Sequence, residues 1–201
     1  MAEILFTREL LCNALAAFPN ESIIAESARV CTASKGQGLS ILSHLVRQRH
    51  TKPLEYAHVL FEVQLPIFLD RQLQTHRLVE GSMAASGRYG AVTDTFYLPD
   101  EVNDVDLPMI EEHIIAAKGL MYGLSDDPMR NRELTRNLMP QCQMTTRRFM
   151  MNLTSFANFY RQRSSNKAQL EMQCLAEQMK RCYADHFPVL VSALELANWW
   201  S

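Results

Sequence analysis

In "AHVLFEVQL" the apolar residues Val59, Phe61, Val63 and Leu65 alternate with His58, Leu60, Glu62 and Gln64, a period of two that predicts a half-buried strand. Pro66 follows, well placed to open a helix. "IFLDRQLQTHR" continues as that helix, with Leu69 and Leu73 one turn apart and Gln72 and His76 one turn apart. Upstream, "ESIIAESARV" and "LSILSHLVRQRH" carry apolar residues at helical spacing; in the second, Leu39, Leu42 and Leu45 or Val46 line one face. Between Gly81 and Tyr89 the periodicity lapses, and small residues predict a loop that allows close backbone approach to a ligand. "FYLPDEVNDVD" reads as a connector and "PMIEEHIIAAKGLMYGL" as a helix. "DDPMRNRELTRNLMP" predicts another helix, entered at Pro128 and ended before Pro140. "QMTTRRFMM" predicts a strand, and "NLTSFANFYRQR" and "KAQLEMQCLAEQMKRCYADHF" two helices. Asn166 and Gln169 stand before the second in a cap-like spacing. Many helices, with few strands that do not alternate with them, predict an α+β layer arrangement rather than a doubly wound sheet.

The 201 residues contain no internal repeat, low-complexity tract or Pro/Gly/Ser linker, so residues 1–201 are expected to form a single domain with a substantial core. Hydrophobic residues make up 47% and charged residues 21%, the balance of a globular chain rather than a disordered or fibrous one. A formal net charge of -2 offers no global attraction for nucleic acid or an anionic membrane, so any phosphate chemistry must be local. No apolar run approaches the length of a membrane span, and "MAEILFTREL" lacks the order of a secretory leader, which makes the cytoplasm the expected location. The five cysteines, Cys12, Cys31, Cys142, Cys174 and Cys182, are odd in number and scattered, which argues against zinc and against a disulfide framework. Cys31 and Cys142 are candidate nucleophiles, although a buried structural thiol is the commoner fate.

Arginine supplies fifteen of the twenty basic residues. Its guanidinium fork binds phosphates and carbonyl pairs bidentately, where lysine acts as a point charge. The arginines cluster as Arg71, Arg77 and Arg88; as Arg132 and Arg136; and as Arg147, Arg148, Arg161 and Arg163. Solvated helix faces are the competing reading of such clusters. Against it, Gln72, His76 and Arg77 lie beside an apolar strand and helix, and Ser86-Gly87-Arg88 has the composition of a turn whose amides and guanidinium receive a phosphate. There is no G-x-G-x-x-G, Walker loop, G-x-S-x-G or H-E-x-x-H. His76 and Glu80 stand at helical spacing without a third ligand, so hydrogen bonding outranks metal binding and no metal is expected.

The order of residues carries the reading further. "RHTKPLEYAHVLFEVQLPIFLDRQLQTHRLVEGSMAASGRY" resembles the flavin-dependent thymidylate synthases. In that family a His-x-Ser/Thr-Pro-Phe-Glu-His segment leads through a strand and an A-P-I-F stretch into R-Q-x-x-R-H-R, and then S-x-R-Y. Here His50, Pro53 and Glu55 keep the first signature, Pro66-Ile67-Phe68 the second, and Arg71-Gln72, His76-Arg77 and Ser86-Gly87-Arg88-Tyr89 most of the core motif. Arg136, Pro140, Asn152, Asn158, Arg163, Ala168, Gln169 and Glu171 fall in step with the family's later block. The resemblance implies an α+β fold with a mixed or antiparallel sheet and packed helices. It also implies a homotetramer with active sites shared between chains and FAD between subunits. The implied reaction is methylation of dUMP at C5 to give dTMP, with methylenetetrahydrofolate supplying the carbon and NADPH reducing the flavin. No cysteine need attack the pyrimidine, and neither nucleic acid nor membrane is an implied partner. By motif position Arg163 matches the catalytic arginine at the pyrimidine edge, where it stabilises developing charge. Arg136, Ser86, Gly87 and Arg88 match nucleotide-binding positions, with Gln72 contributed by a neighbouring subunit. His50, His76, Arg77, Asn152 and Asn158 match flavin contacts, with a helix cap the rival role for Asn152.

The chain also departs from the pattern. Thr75 replaces the first arginine of R-H-R, Lys52 replaces a Ser/Thr, and Tyr56 replaces a histidine. "SMAASGRY" places Met83 or Ala84 where the family has Asn-Glu, one residue is added in that loop, and Thr154 stands where arginine is usual. Two explanations stay open: paired removal of opposite charges, or a changed substrate, since a site that hydrogen-bonds the edge of uracil rejects cytosine. The second makes a dCMP methylase or hydroxymethylase the alternative on the same flavin machinery. A non-catalytic homologue that binds flavin or nucleotide is a further alternative.

Overall fold

The computed structural model describes residues 4–32, 38–76, 80–87, 93–121 and 124–200. They fall into two compact units interleaved along the chain, one of residues 1–9, 64–73 and 84–147, the other of residues 10–63, 74–83 and 148–201. A four-stranded antiparallel sheet has the order β2-β3-β6-β4, with β2 at Leu11–Phe18, β3 at His58–Pro66, β6 at Met144–Asn152 and β4 at Glu80–Ala84. β3 and β6 each contribute residues to both units. The alternation read in β3 is observed, because Val59, Phe61, Val63 and Leu65 are all fully buried.

In the first unit, β1 (Leu5–Thr7) pairs in parallel with β5 (Thr95–Tyr97), in the register Leu5↔Thr95 to Thr7↔Tyr97. Phe96 is fully buried and bridges Gln143. α4 (Ile67–Gln74) starts on backbone bonds from Ile67 N to Gln143 O (3.0 Å) and from Phe68 N to Gln141 O (3.1 Å). The buried carboxylate of Asp70 accepts from both Arg147 Nε and Arg147 Nη2, the latter at 2.8 Å, and so ties α4 to β6 by a bidentate pair. α5 (Leu107–Met121) and α6 (Pro128–Thr135) are joined through the Met121 carbonyl, which accepts from Asn131 Nδ2 (3.2 Å) and Thr135 Oγ1 (2.9 Å). Asp127 caps α6 by accepting from Met129 N at 2.9 Å, with Pro128 in the first helical turn as its fixed φ favours.

The second unit is built around aromatic rings. Phe61 of β3 and Phe149 of β6 lie 5.3 Å apart on neighbouring strands. α7 (Leu153–Arg163) contributes Phe156, and α8 (Leu170–His186) contributes Tyr183, which stacks on Phe156 at 4.6 Å. The Tyr183 hydroxyl donates to Met151 O at 2.6 Å, which satisfies the polar end of a fully buried ring. α1 (Glu21–Thr32), α2 (Ser40–Arg47), α3 (Lys52–Tyr56) and α9 (Pro188–Leu196) complete the unit. Glu21 accepts from Leu190 N at 2.8 Å, so a buried carboxylate closes the start of α9.

Four local expectations are corrected. "FYLPDEVNDVD" is not a connector throughout, because Phe96 and Tyr97 belong to β5. α4 ends at Gln74, so Gln72 and His76 do not share a helix; the His76 ring is committed to α7 instead. The stretch from Gly81 is not a loop throughout, because Glu80–Ala84 forms β4 at the sheet edge. Gly81 to Ser86 are all exposed, so backbone pairing makes this strand and no hydrophobic alternation announces it. Gly81 has φ +62, and its glycine serves that left-handed backbone, since a Cβ there would meet nothing within 4 Å. α8 begins after Gln169 without a side-chain cap, so Asn166 does not cap it. Four elements, β1, β2, α3 and α9, carried no sequence signal. In β2 the larger apolar side chains, Leu11, Leu15 and Phe18, face outward, which inverts the usual pattern, and α9 is a short apolar run without clear periodicity.

Two stability tests follow from this packing. Phe156→Ala, which empties a fully buried ring position, should lower the unfolding free energy by about 3–5 kcal/mol in urea denaturation. Asp70→Ala removes the buried bidentate carboxylate from Arg147 and should cost about 3–5 kcal/mol. Glu62→Ala releases only the exposed Arg148, and in the same denaturation assay should cost under about 1 kcal/mol. Equal losses in the last two variants would contradict this account of the two ion pairs.

Candidate functional site

The second unit holds the expected catalytic arginine at the end of α7. This helix buries Leu153, Phe156, Ala157, Phe159 and Tyr160 and leaves Asn158, Arg161 and Gln162 exposed. Its start is fixed by Asn152, whose Oδ1 accepts from Ser155 N at 2.9 Å. Its last residue, Arg163, donates from Nε to Nε2 of His76 at 2.8 Å. The His76 ring stands edge-on to Phe159, with centroids 5.0 Å apart and an 83° interplanar angle. Arginine has no acceptor. His76 Nε2 is therefore unprotonated, and the neutral ring carries its proton on Nδ1. Burial first, and then the Arg163 charge, push the His76 pKa below its ordinary value.

The arginines of β6 and α7 are held in different ways. Arg147 is neutralised by buried Asp70. Arg148 is paired with Glu62 at 2.6 Å. Arg163 is tied by a neutral imidazole, so its charge is fixed in place and not cancelled. Its two Nη groups make no hydrogen bond among the described residues. Such a half-buried fork suits a carbonyl pair, a carboxylate or a phosphate.

The other expected residues are distributed as follows. His50 is exposed at the end of α2, where its backbone N–H donates to Leu45 O at 3.0 Å. The next residue, Thr51, accepts at its carbonyl from Thr154 Oγ1 (3.4 Å), which sets the His50 segment against the first turn of α7. Thr154 and Asn158 lie one turn apart on that helix, so the exposed Asn158 shares the face the His50 segment meets. Lys52, the unusual charge of this segment, pairs with Glu55 at 3.0 Å. Gln72, Ser86, Gly87 and Arg136 belong to the first unit. Arg136 is exposed at the end of α6, and the Ser86 turn follows a backbone bond from Ala85 N to Thr146 O at 2.9 Å. Arg77 and Arg88 lie outside the described residues, as does the side chain of Cys31. Burial pushes the Cys142 thiol up, the opposite of what an activated nucleophile needs.

One residue of this arrangement was missed from the sequence, namely Phe159. It lies four positions before Arg163, a helical neighbour whose ring orients the imidazole. Among the described residues no helix is long and apolar enough to cross a membrane.

Residues 14–189 match the family described as thymidylate synthase complementing protein. The flavin-dependent thymidylate synthase of Kosmotoga olearia is 28% identical over 194 residues, covering 84% of this chain and 82% of that protein. That of Pseudothermotoga lettingae is 31% identical over 147 residues, covering 68% and 66%. Among solved structures, the UMP/dUMP methylase PolB from Streptomyces cacaoi bound with 5-Br dUMP superposes with a TM-score of 0.83 at 23% identity, covering 96% of this chain and 97% of that one, which shows a shared fold. The chain therefore belongs to the thymidylate synthase complementing protein family, as a divergent flavin-dependent thymidylate synthase-like enzyme.

Proposed function

We propose that this enzyme methylates C5 of dUMP to give dTMP, using FAD with methylenetetrahydrofolate as carbon donor and NADPH as reductant, as a cytoplasmic homotetramer with shared active sites. The observation that carries the reading is Arg163, the family's pyrimidine-edge arginine, held by a neutral partner with both Nη groups open among the described residues. A preorganised cation of this kind stabilises negative charge as it develops on the pyrimidine, without having to reorient. Gln72, Ser86, Gly87, Arg88 and Arg136 are assigned to the nucleotide by motif position.

The open polar groups of the second unit fit a flavin. His50 and Asn158 are exposed and make no side-chain hydrogen bond among the described residues, and neither carries a negative charge to repel phosphate. They would hold it together with Arg77 and with Asn152, which would use its amide nitrogen because Oδ1 already caps α7. When bound, the flavin supplies the hydride that reduces the transferred carbon, and the protein positions and polarises. In this scheme His76 acts on Arg163 through Nε2 and turns only its remaining ring surface to other partners.

A second reading is favoured by β4. Met83 is 75% exposed, and Ala84 beside it is exposed too, where the family places Asn-Glu. A strand edge without those polar groups suits a different pyrimidine edge, and dCMP is the alternative substrate, giving a methyl or hydroxymethyl product. A homologue that only binds flavin or nucleotide is less well supported, because Arg163 remains both in register and held in place.

The test is a product-mass assay with FAD, NADPH and methylenetetrahydrofolate, offering dUMP, dCMP and UMP together. A methylated dUMP is the expected product. A modified dCMP would replace the main reading by the alternative, and flavin-loaded protein that makes no product would favour the binding-only homologue. Arg163→Ala should reduce the rate by about 100- to 1,000-fold while the flavin absorbance of the purified protein is kept.

A further inference from the structure

We propose that His76 is a positioning residue: its neutral imidazole holds Arg163 by the Nε edge, so that the two Nη groups meet the pyrimidine nucleotide as a fixed fork of undiminished charge. The inference rests on the proposed function and extends it to a residue whose motif position pointed to the flavin.

The geometry leaves His76 Nε2 no other task. It accepts from Arg163 Nε at 2.8 Å, and the ring is set by its edge contact with Phe159, one helical turn from Arg163 on the same helix. An unanchored arginine at a helix end would lose its side-chain freedom only when the nucleotide arrived, at the expense of affinity. A carboxylate at position 76 would anchor it equally well, as Asp70 anchors Arg147 and Glu62 anchors Arg148, and would cancel the charge the ligand needs. A lysine or arginine there would repel it. A neutral histidine is the acceptor that fixes the guanidinium and leaves its charge intact.

The arrangement depends on pH in one direction. Protonation would place a hydrogen on Nε2, so that two donors and two positive charges would face each other and the contact would open. Among the described residues, Arg163 is the charged group that shifts His76, and the ring contact with Phe159 adds no charge. The folded-state pKa is lowered from the ordinary 6.5. The contact is therefore complete above that ordinary value and is lost as pH falls through a lower one.

The experiment is calorimetric titration of the flavin-loaded, full-length protein with dUMP at about pH 8 and about pH 5, for wild type, His76→Ala and His76→Gln. The glutamine places a non-titrating acceptor where Nε2 stood. We expect His76→Ala to bind dUMP about tenfold more weakly at the higher pH, and His76→Gln to stay within about threefold of wild type. Wild type should lose more affinity on acidification than His76→Gln. The nucleotide phosphate itself titrates at about pH 6, and that contribution is common to all three proteins, so the difference between them is what counts. Nitrogen-15 NMR of the His76 ring provides a reading independent of ligand, with Nε2 expected as the unprotonated nitrogen at neutral pH. Wild-type affinity in His76→Ala, equal acid losses in wild type and His76→Gln, or a protonated Nε2 would each overturn the proposal. Wild type that binds no dUMP at either pH, with the NMR signature intact, would overturn the proposed function and leave His76 as the anchor of Arg163 alone.

Discussion

The hydrogen bond from Arg163 Nε to His76 Nε2 fixes a positive charge without cancelling it, and the candidate site depends on that distinction. The neighbouring arginines show the other solution. Arg147 spends its charge on Asp70 and fastens α4 to β6, and Arg148 pairs with Glu62 near the surface. Removing a partner from a buried charge pair leaves the remaining ion desolvated and uncompensated, so such pairs resist change. The neutral anchor carries no such obligation toward an opposite charge. It leaves the guanidinium ready for a ligand, and one segment, β6 followed by α7, carries both kinds of arginine.

The fold supplies the frame for that contact. The stacked rings of Phe156 and Tyr183 hold α7 and α8 together, and the Asn152 cap sets where α7 begins, so the first part of the helix that carries Arg163 is fixed. Phe159 then orients the imidazole that receives Arg163. The helix cap at Asn152 and a flavin contact are compatible, because the cap uses only Oδ1.

Much of this was legible in the sequence, and the physical reasons for the gaps are specific. The strict alternation of Val59, Phe61, Val63 and Leu65 announced β3 because each of these side chains is buried. β2 was not visible because Leu11, Leu15 and Phe18 point outward. β4 was not visible because its residues from Gly81 onward are exposed, so no face of it is recorded in hydrophobicity. The helix expected over residues 67–77 stops at Gln74: periodicity reports what a side chain would face in a helix, and His76 is held by α7 in another part of the chain. Motif order identified Arg163 and His76 separately and gave no sign that they touch, since 87 positions separate them. Lys52, which replaces a Ser/Thr of the family pattern, is answered locally by Glu55, three residues on.

The most direct test of the account is a crystal structure of the flavin-loaded protein with dUMP. The Arg163 Nη groups are expected in hydrogen-bond contact with the nucleotide, while Nε stays on His76. A nucleotide bound elsewhere, with Arg163 neutralised by a carboxylate, would contradict it.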